Sequence, residues 1–270
     1  MKIYYQWEKW AYSNIASLKA KENLDIVVED IIWVSNFSLV WKNIWDDSIW
    51  VLPVENSTAW SIHENLYNFL RYDFKIIWEI PLEIQHCLLS KETKISDIKY
   101  AHSHPQALWQ CYEFLKSNNI EAVVKYDTAW SAKEVSENNF PWVWAIASKL
   151  AWEIYWLNVI KEWIQDQDWN TTRFFIVVPK NSNLRFKKQS WKTSIIFEAR
   201  NIPASLYKCL WAFATNDINL TKIESMPSFK DPFTYIFWID FEWSVNDENV
   251  KNALNELEFF TKNIKILWEY

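Results

Sequence analysis

The sequence predicts an α/β protein with mainly parallel sheets, followed by a smaller βαββαβ unit. Three observations lead there. In the first two thirds, short apolar runs alternate with amphipathic stretches, the pattern of strand–helix units. After TTRFFIVV the chain turns polar and basic in PKNSNLRFKKQSWK, which reads as a linker and places a boundary near residues 180 to 192. Beyond it the runs follow the order strand, helix, strand, strand, helix, strand over roughly 80 residues, a ferredoxin-like unit of ordinary domain size.

The elements are justified in chain order. IWVLPVE is a short apolar run and reads as a strand, and the amphipathic HENLYNFLRYD after it reads as a helix. IKYAHS is a strand and PQALWQCYEFLKSN a helix; EAVVKYD is a strand and SAKEVSEN a helix; WVWAIAS is a strand and SKLAWEIYWL a helix. TTRFFIVV is an apolar strand opened by two β-branched residues. Small polar residues stand at strand ends: Ser103 after KYAH, Asp127 and Thr128 after AVVKY, Ser148 after AIA. Ligands in open α/β sheets bind beyond the carboxyl ends of strands, often at helix N-termini. In the C-terminal part TSIIFEA is a strand, and PASLYKCLWAFATN is a helix opened by Pro203, a favoured first-turn residue. INLTKIESMP and DPFTYIFWIDFEW are strands, NDENVKNALNELEFFTKN is a helix with Asn and Asp near its start, and NIKILWEY closes as a strand. Such a unit exposes sheet edges and commonly pairs.

One composition feature cuts across all of this: the chain has no glycine and 21 tryptophans. Turns with φ > 0 depend on glycine, which normally makes up about 7% of a chain. Many tryptophans stand where glycine is expected. Trp60 follows VENSTA in a loop of small polar residues, Trp169 is in QDQDWN, Trp45 precedes two aspartates, Trp243 ends a strand-like run, and Trp7 and Trp10 flank a short charged loop. Trp41 and Trp238 differ, lying inside the apolar runs FSLVW and YIFWID where an aromatic fits. The pattern implies that about 19 of the 21 tryptophans are glycines in the natural protein. The simplest cause is a genetic code that reads UGA as glycine, translated with one that reads UGA as tryptophan. The alternative is a tryptophan-rich chain with aromatic carbohydrate- or membrane-binding patches.

The net charge of −6 argues against nucleic acid as a partner, since phosphate binding calls for a basic face. Three well-separated cysteines, Cys87, Cys111 and Cys209, fit a reducing cytoplasm rather than a disulfide framework or a zinc site. The N-terminus has no long apolar segment of the signal-peptide kind, and no run of about 18 apolar residues is present to span a membrane. His102 and His104 lie two apart in HSH, a spacing for a strand or loop, with no acidic or cysteine cluster beside them in sequence; no metal is expected.

With glycine read at the suspect positions, the chain resembles the prephenate dehydratase family along nearly its whole length. Six stretches carry the resemblance in family order: QWEKWAYS, LPVENSTAWSI, HSHPQALWQC, YDTAWSAKEV, AIASKLAWEIYWL and IQDQDWNTTRFFIV, whose NTTRF is the most diagnostic. The resemblance also marks Trp60, Trp109, Trp130 and Trp169 as glycine positions, independently of composition. The C-terminal unit resembles an ACT domain, with INLTKIESMP close to that signature.

The resemblance implies a two-lobed, periplasmic-binding-protein-like catalytic domain over residues 1–182, with the active site in the cleft, and an ACT regulatory domain over residues 193–270. It implies a cytoplasmic, monofunctional lyase that converts prephenate to phenylpyruvate by loss of water and carbon dioxide. No fused mutase is expected, because the first family motif begins within the first ten or so residues. The product ring is aromatic, so the driving force is large and no cofactor is needed. The family's catalytic threonine maps to Thr172. Its hydroxyl is a weak acid and stabilises the departing oxygen by a hydrogen bond rather than by ionising.

Substrate contacts are expected from Asn56, Ser57 and Thr58, from Ser103, His104 and Gln106, and from Thr128, Ala129 and Ser131, at loop–helix junctions. Ser61 and Ser131, each taken alone, read as helix N-caps, and Asp127 as a residue orienting the turn after it. Arg173 is read as meeting a substrate carboxylate or an internal acid, Phe174 as packing on the substrate ring or in the core, and Glu55 as a proton relay or an internally paired carboxylate. Substrate-driven closure of the lobes is expected to exclude water.

The ACT-like unit implies a phenylalanine effector held by Pro203, Ala204, Ser205 and Leu206, by Asn219 and Leu220, and by Glu224, Ser225 and Met226, with a homodimer or homotetramer as the assembly. Here the chain departs from the family. Ala204 replaces the glycine of Pro-Gly-Ala-Leu and Met226 replaces the arginine of Glu-Ser-Arg-Pro, so the response to phenylalanine is expected to be weakened or altered. Two rival readings stand beside this one: arogenate dehydratase, and a non-catalytic sensor of aromatic amino acids. Neither nucleic acid nor membrane is an expected partner.

Overall fold

The structure, a computed structural model, describes residues 1–6, 11–24, 26–36, 39, 41, 48–58, 60–91, 95, 98–138, 142–184, 192–228 and 234–269. Trp7, Trp10 and Trp45, and most of the linker placed near 180–192, lie outside the described residues. The chain forms two compact units, one of residues 1–72 and 79–182, the other of residues 73–78 and 183–270.

The first unit opens with strand β1 (Lys2–Gln6), helix α1 (Tyr12–Asn23), β2 (Asp30–Val34), β3 (Ser48–Asn56), the short β4 (Trp60–Ser61) and α2 (His63–Arg71). Strand β5 (Phe74–Glu83) begins in the stretch that groups with the second unit. With β11 (Thr171–Pro179) these strands make a sheet of order β2-β1-β3-β11-β5. β3 is its spine. It is buried from Ser48 to Val54, because neighbours flank it on both sides and α1 and α2 pack on it. That is why its sequence is nearly all apolar rather than alternating.

The second sheet of this unit contains β6 (His86–Ser90), β7 (Tyr100–Ser103), β8 (Glu121–Val124), β9 (Val143–Ser148) and β10 (Asn158–Lys161), in the order β10-β6-β9-β7-β8. Its helices are α3 (Pro105–Gln110), α4 (Tyr112–Ser117), α5 (Thr128–Glu137) and α6 (Leu150–Tyr155). The period-2 rule sorts its core onto two faces. Leu88, Trp144 and Ile146 pack with Ala107, Leu108, Cys111 and Leu115 of the α3–α4 segment. Their strand neighbours Cys87, Leu89, Ala145 and Ala147 pack with Ala132 and Val135 of α5 and Ala151 of α6.

The second unit runs β12 (Thr193–Ala199), α7 (Ser205–Ala214), β13 (Leu220–Pro227), β14 (Tyr235–Phe241), α8 (Glu248–Phe260) and β15 (Thr261–Glu269). Its sheet has the order β13-β14-β12-β15 and is antiparallel throughout. Ile195, Phe197, Ile239 and Phe241 meet Cys209, Ala212 and Phe213 of α7 and Val250, Ala253 and Leu257 of α8 in one core.

Several expectations need correction. The sheets of the first unit are mixed rather than mainly parallel: β1, β2 and β3 pair in parallel, as do β8, β7 and β9, but β11 and β4 run antiparallel to β3, and β6 runs antiparallel to β9 and β10. The helix expected over 105–118 breaks at Cys111, whose backbone leaves the helical region at φ −114°, ψ 19°. Pro203 precedes α7 instead of opening it, and Ala204 occupies the N-cap. α5 begins at Thr128, so Ser131 lies inside it and Asp127 is the cap, accepting from the Trp130 N–H at 2.9 Å. Ser61 belongs to β4, and the N-cap of α2 is Ile62.

Among the described residues six have positive φ, and three of these are tryptophans: Trp142 at 66°, Trp156 at 53° and Trp163 at 57°. A left-handed backbone costs an L-residue with a side chain roughly 1–2 kcal/mol, and glycine nothing.

Candidate active site

A cavity of about 280 Å³ opens in the first unit, lined from both of its sheets. β3 brings Pro53 and Asn56, and β11 brings Thr172 and Phe174. The start of α1 supplies Tyr12 and Ser13, and β6 supplies His86. α3 turns its N-cap His104, Gln106 and Gln110 toward the space, and the N-terminus of α5 adds Asp127 and Thr128. Two helix N-termini therefore face one cleft, and each presents partial positive charge to an anion. Ile62, Ile84, Ala107 and Phe174 make the rest of the wall apolar.

The floor of this cavity is a connected set of polar side chains. β11 pairs antiparallel with β3, setting Thr172 opposite Asn56. Asn56 donates from Nδ2 to Thr172 Oγ1 at 2.9 Å and to Asn170 Oδ1 at 2.8 Å. Its Oδ1 accepts from the Thr58 backbone N–H at 3.0 Å and from Thr58 Oγ1 at 2.7 Å. Gln110 Nε2 donates to Thr58 Oγ1 at 2.6 Å, and Gln110 Oε1 lies 2.8 Å from His86 Nε2. On the other side of the ring, His86 Nδ1 lies 3.2 Å from Tyr12 Oη, which donates to the Gln85 carbonyl at 2.7 Å.

Burial disfavours charge in this layer. It lowers the His86 imidazole to about 4, although the hydrogen bond to Gln110 works the other way. It also lowers His104 and raises the Tyr12 phenol. Because His86 is held below its ordinary value, the unfolded chain takes up a proton first as pH falls. The stability that neutral His86 contributes is complete above about pH 6.5 and is lost between there and pH 4. Chemical denaturation at pH 7 and at pH 4.5 should show a fall that a His86→Gln chain lacks, by roughly 2–3 kcal/mol. Equal slopes for the two chains would contradict a buried neutral imidazole.

The sequence-predicted residues are not all brought to the cavity. Asn56, His104, Gln106, Thr128, Thr172 and Phe174 line it. Thr58 stands behind Asn56 and lines a smaller adjoining hollow with Gln165 and Asn170. Ser57 latches the β3 end to β11 through Trp169 O and Thr171 N, at 2.9 and 2.8 Å. Ser103 is buried and donates to the Ile146 carbonyl at 2.6 Å, Ala129 is buried, and Ser131 Oγ donates back to the Asp127 carbonyl at 2.7 Å. Arg173 is absent from the lining. It is ion-paired with Glu79 and lies 3.8 Å from Glu55, with its guanidinium over the Phe175 ring. His102 pairs with Glu134, which also holds Lys125.

Sequence reasoning missed Tyr12, His86 and Gln110. A histidine inside EIQHCLLS reads as a core residue of a strand, and Gln110 lies within HSHPQALWQC, a stretch already recognised but not read to its end.

In the second unit, Pro203, Ala204, Ser205 and Leu206 form the turn into α7, Asn219 and Leu220 lead into β13, and Glu224, Ser225 and Met226 lie on β13. Ala204 has φ 59°, the region that favours glycine. Met226 is fully buried, and Glu224 accepts an ion pair from Lys222 at 3.0 Å.

The family model for prephenate dehydratase matches residues 3–182. The chain is 37% identical to arogenate dehydratase/prephenate dehydratase 2, chloroplastic, of Arabidopsis thaliana, covering 100% of this chain and 72% of that one. It is similar to the solved structure of a prephenate dehydratase from Staphylococcus aureus, at 25% identity and TM-score 0.85 with both chains covered in full. It is also similar to the structure of GqqA, described as a novel type of quorum quenching acylase, at 28% identity and TM-score 0.84, covering 100% of this chain and 97% of that one.

Proposed function

This chain belongs to the prephenate dehydratase family of carbon–oxygen lyases, and we propose that it converts prephenate to phenylpyruvate with Thr172 as the catalytic hydrogen-bond donor. The observation that carries the reading is the setting of Thr172. It is 9% exposed, fixed on a strand, bonded to Asn56 and part of the lining of a cavity whose wall also holds the apolar Ile62, Ile84, Ala107 and Phe174. The ring carboxylate leaves as carbon dioxide, its bonding pair completes the aromatic ring, and the C–O bond breaks. The charge that develops on the departing oxygen needs a donor already in place, and Thr172 supplies one in a water-poor site. The substrate carboxylates are assigned to Asn56, Gln106, Thr128 and two helix N-termini, beside Asp127, whose carboxylate is held by the Trp130 N–H. Phe174 offers a ring face for the substrate ring.

Arogenate, the amino-acid form of the same skeleton, is the second candidate substrate, favoured by the arogenate dehydratases among the relatives. The ratio of kcat/KM on the two compounds decides between them. A ratio above one for prephenate supports the proposal, and a ratio below one reassigns the substrate. The acylase is 28% identical to this chain, above the Staphylococcus aureus dehydratase at 25% and below the Arabidopsis thaliana dehydratase at 37%.

We read the two sheets of the first unit as the lobes of a periplasmic-binding-protein-like catalytic domain over residues 1–182, and residues 193–270 as an ACT domain that pairs in a dimer or tetramer. The order βαββαβ and the sheet order β13-β14-β12-β15 support the second reading. Ala204 at a left-handed turn and a buried Met226 in place of the family arginine support a weakened effector site. Phenylalanine should inhibit shallowly; strong inhibition at low micromolar concentration would contradict this. Three reduced, buried cysteines support a cytoplasmic protein, and no helix among the described residues is long and apolar enough to cross a membrane.

The glycine reading is part of the proposal. Its support is the three positive-φ tryptophans, together with Trp144, which is fully buried with an indole N–H that finds no partner among the described residues. Trp41 and Trp238, kept as true tryptophans, are buried and donate to Asn65 at 3.4 Å and Asp240 at 2.6 Å. Trp50 is buried as well and donates to Ser48 at 3.1 Å, so burial alone does not separate the two classes.

A further inference from the structure

We propose that His86 is a positioning residue for the reaction: its Nε2–H starts a one-way chain of hydrogen bonds, His86 to Gln110 to Thr58 to Asn56 to Thr172, that leaves the Thr172 proton free for the substrate. The inference rests on the dehydratase reading of Thr172 and deepens it.

The direction follows from one unambiguous donor. The Thr58 backbone N–H points at Asn56 Oδ1 from 3.0 Å and can only donate. The atom it meets is therefore the Asn56 carbonyl oxygen, and the Asn56 amide nitrogen must face Thr172 Oγ1. Thr172 Oγ1 accepts there, so its own hydrogen is not spent on Asn56. Thr58 Oγ1, at 2.7 Å from the same carbonyl oxygen, must be the donor in that pair. Its lone pair then receives the third contact, at 2.6 Å, which requires an N–H from Gln110. With the Gln110 nitrogen turned to Thr58, its oxygen faces His86 Nε2 at 2.8 Å, and an oxygen of this kind only accepts. His86 must carry its proton on Nε2. Reversing any link of that path would set two donors or two acceptors face to face; on the far side of the ring the same assignment makes Nδ1 an acceptor, so the Tyr12 hydroxyl, 2.7 Å from the Gln85 carbonyl and 3.2 Å from Nδ1, must share its one hydrogen between them.

The chain has a chemical consequence. A hydroxyl or amide that accepts a hydrogen bond becomes a better donor, and bonds in series reinforce one another where water is scarce. Thr172 stands at the accepting end of four such bonds. His86 touches no reacting atom. It fixes which way Gln110 faces, and through Gln110 it fixes the rest. Burial favours the neutral ring that this arrangement needs, and the groups its two nitrogens meet, the Tyr12 hydroxyl and the Gln110 amide, are uncharged.

Two variants and one spectrum test the assignment. His86→Gln keeps an N–H donor near the same place, whereas His86→Met keeps bulk without one. His86→Met should lower kcat by about 10- to 100-fold, less than the loss of a direct transition-state donor, with KM within about threefold. His86→Gln should recover kcat to within about threefold of the parent chain. Unchanged kcat in a folded His86→Met chain, or equal losses in both variants, would overturn the proposal. Nitrogen-15 NMR of the histidine rings in the unsubstituted protein gives an answer independent of folding variants and of turnover. The proposal requires the Nε2–H tautomer at His86, and an Nδ1–H tautomer overturns it. An inactive parent chain with the Nε2–H tautomer would instead count against the dehydratase reading.

Discussion

Thr172→Ala is expected to lower kcat on prephenate by about 10²–10³-fold with KM changed by less than about threefold. The asymmetry follows from where the hydroxyl acts. On the proposed reading the substrate's ring and carboxylates meet Phe174, Asn56 and the helix N-termini that line the cavity, contacts that do not involve the Thr172 hydroxyl, so ground-state binding should survive its loss. The hydrogen bond to the departing oxygen strengthens only as the C–O bond breaks, so its loss falls on kcat. Packing contributes little to the effect, since Asn56 keeps its bond to Asn170 at 2.8 Å. Thr172→Ser keeps the hydroxyl and should retain most of the activity. An alanine variant within a few-fold of the parent kcat would remove Thr172 from the chemistry.

The second large effect is on stability. Replacing Trp142, Trp156 and Trp163 together by glycine should stabilise the chain by about 2–3 kcal/mol. That figure takes roughly 1–2 kcal/mol of left-handed strain at each position and subtracts glycine's greater unfolded-state freedom. The gain is expected to be largest at Trp156, which is 90% exposed; Trp142 and Trp163 are half-exposed, at 49% and 48%, and give up part of their packing, including a Trp142 contact with the Lys99 ammonium 4.6 Å from its ring centre. For a chain of this size the gain should raise the thermal midpoint by roughly 5–10 °C. Trp238→Gly is the opposing control. Trp238 is fully buried and its indole N–H is bonded to Asp240, so its loss should destabilise by about 3–5 kcal/mol. If the triple replacement were less stable than the parent, the three positions would be true tryptophans. The mass of the natural protein checks the wider claim: it should lie about 2.5 kDa below 32.6 kDa.

How much was legible in the sequence depends on what kind of signal each part carries. β3 and β11 were readable because both are buried runs of β-formers bounded by polar residues. Their antiparallel pairing was not readable, since an apolar run carries no sign of its direction in a sheet. β1, β2, β5, β6 and β10 went unread. Several are short or carry tryptophan and polar residues, and only the neighbouring strands make them strands. The break at Cys111 falls between two runs that both read as helix, with only Trp109, a position read as glycine, to announce it. In the cleft, Asn56 and Thr172 were found through motif context. Ser103 and Ser131 shared that context, yet each spends its hydroxyl on a nearby carbonyl. Gln110 and His86 were missed because their importance comes from a hydrogen-bond path joining residues far apart in the chain, which no local pattern records.

On the proposed function, this cleft carries out a decarboxylating dehydration. That reading is tested most directly by incubating purified prephenate with the glycine-restored chain, Trp41 and Trp238 retained, and measuring carbon dioxide and phenylpyruvate together. Both products in equal amounts, over many turnovers, are the expected result. A folded chain that returns prephenate unchanged would contradict it.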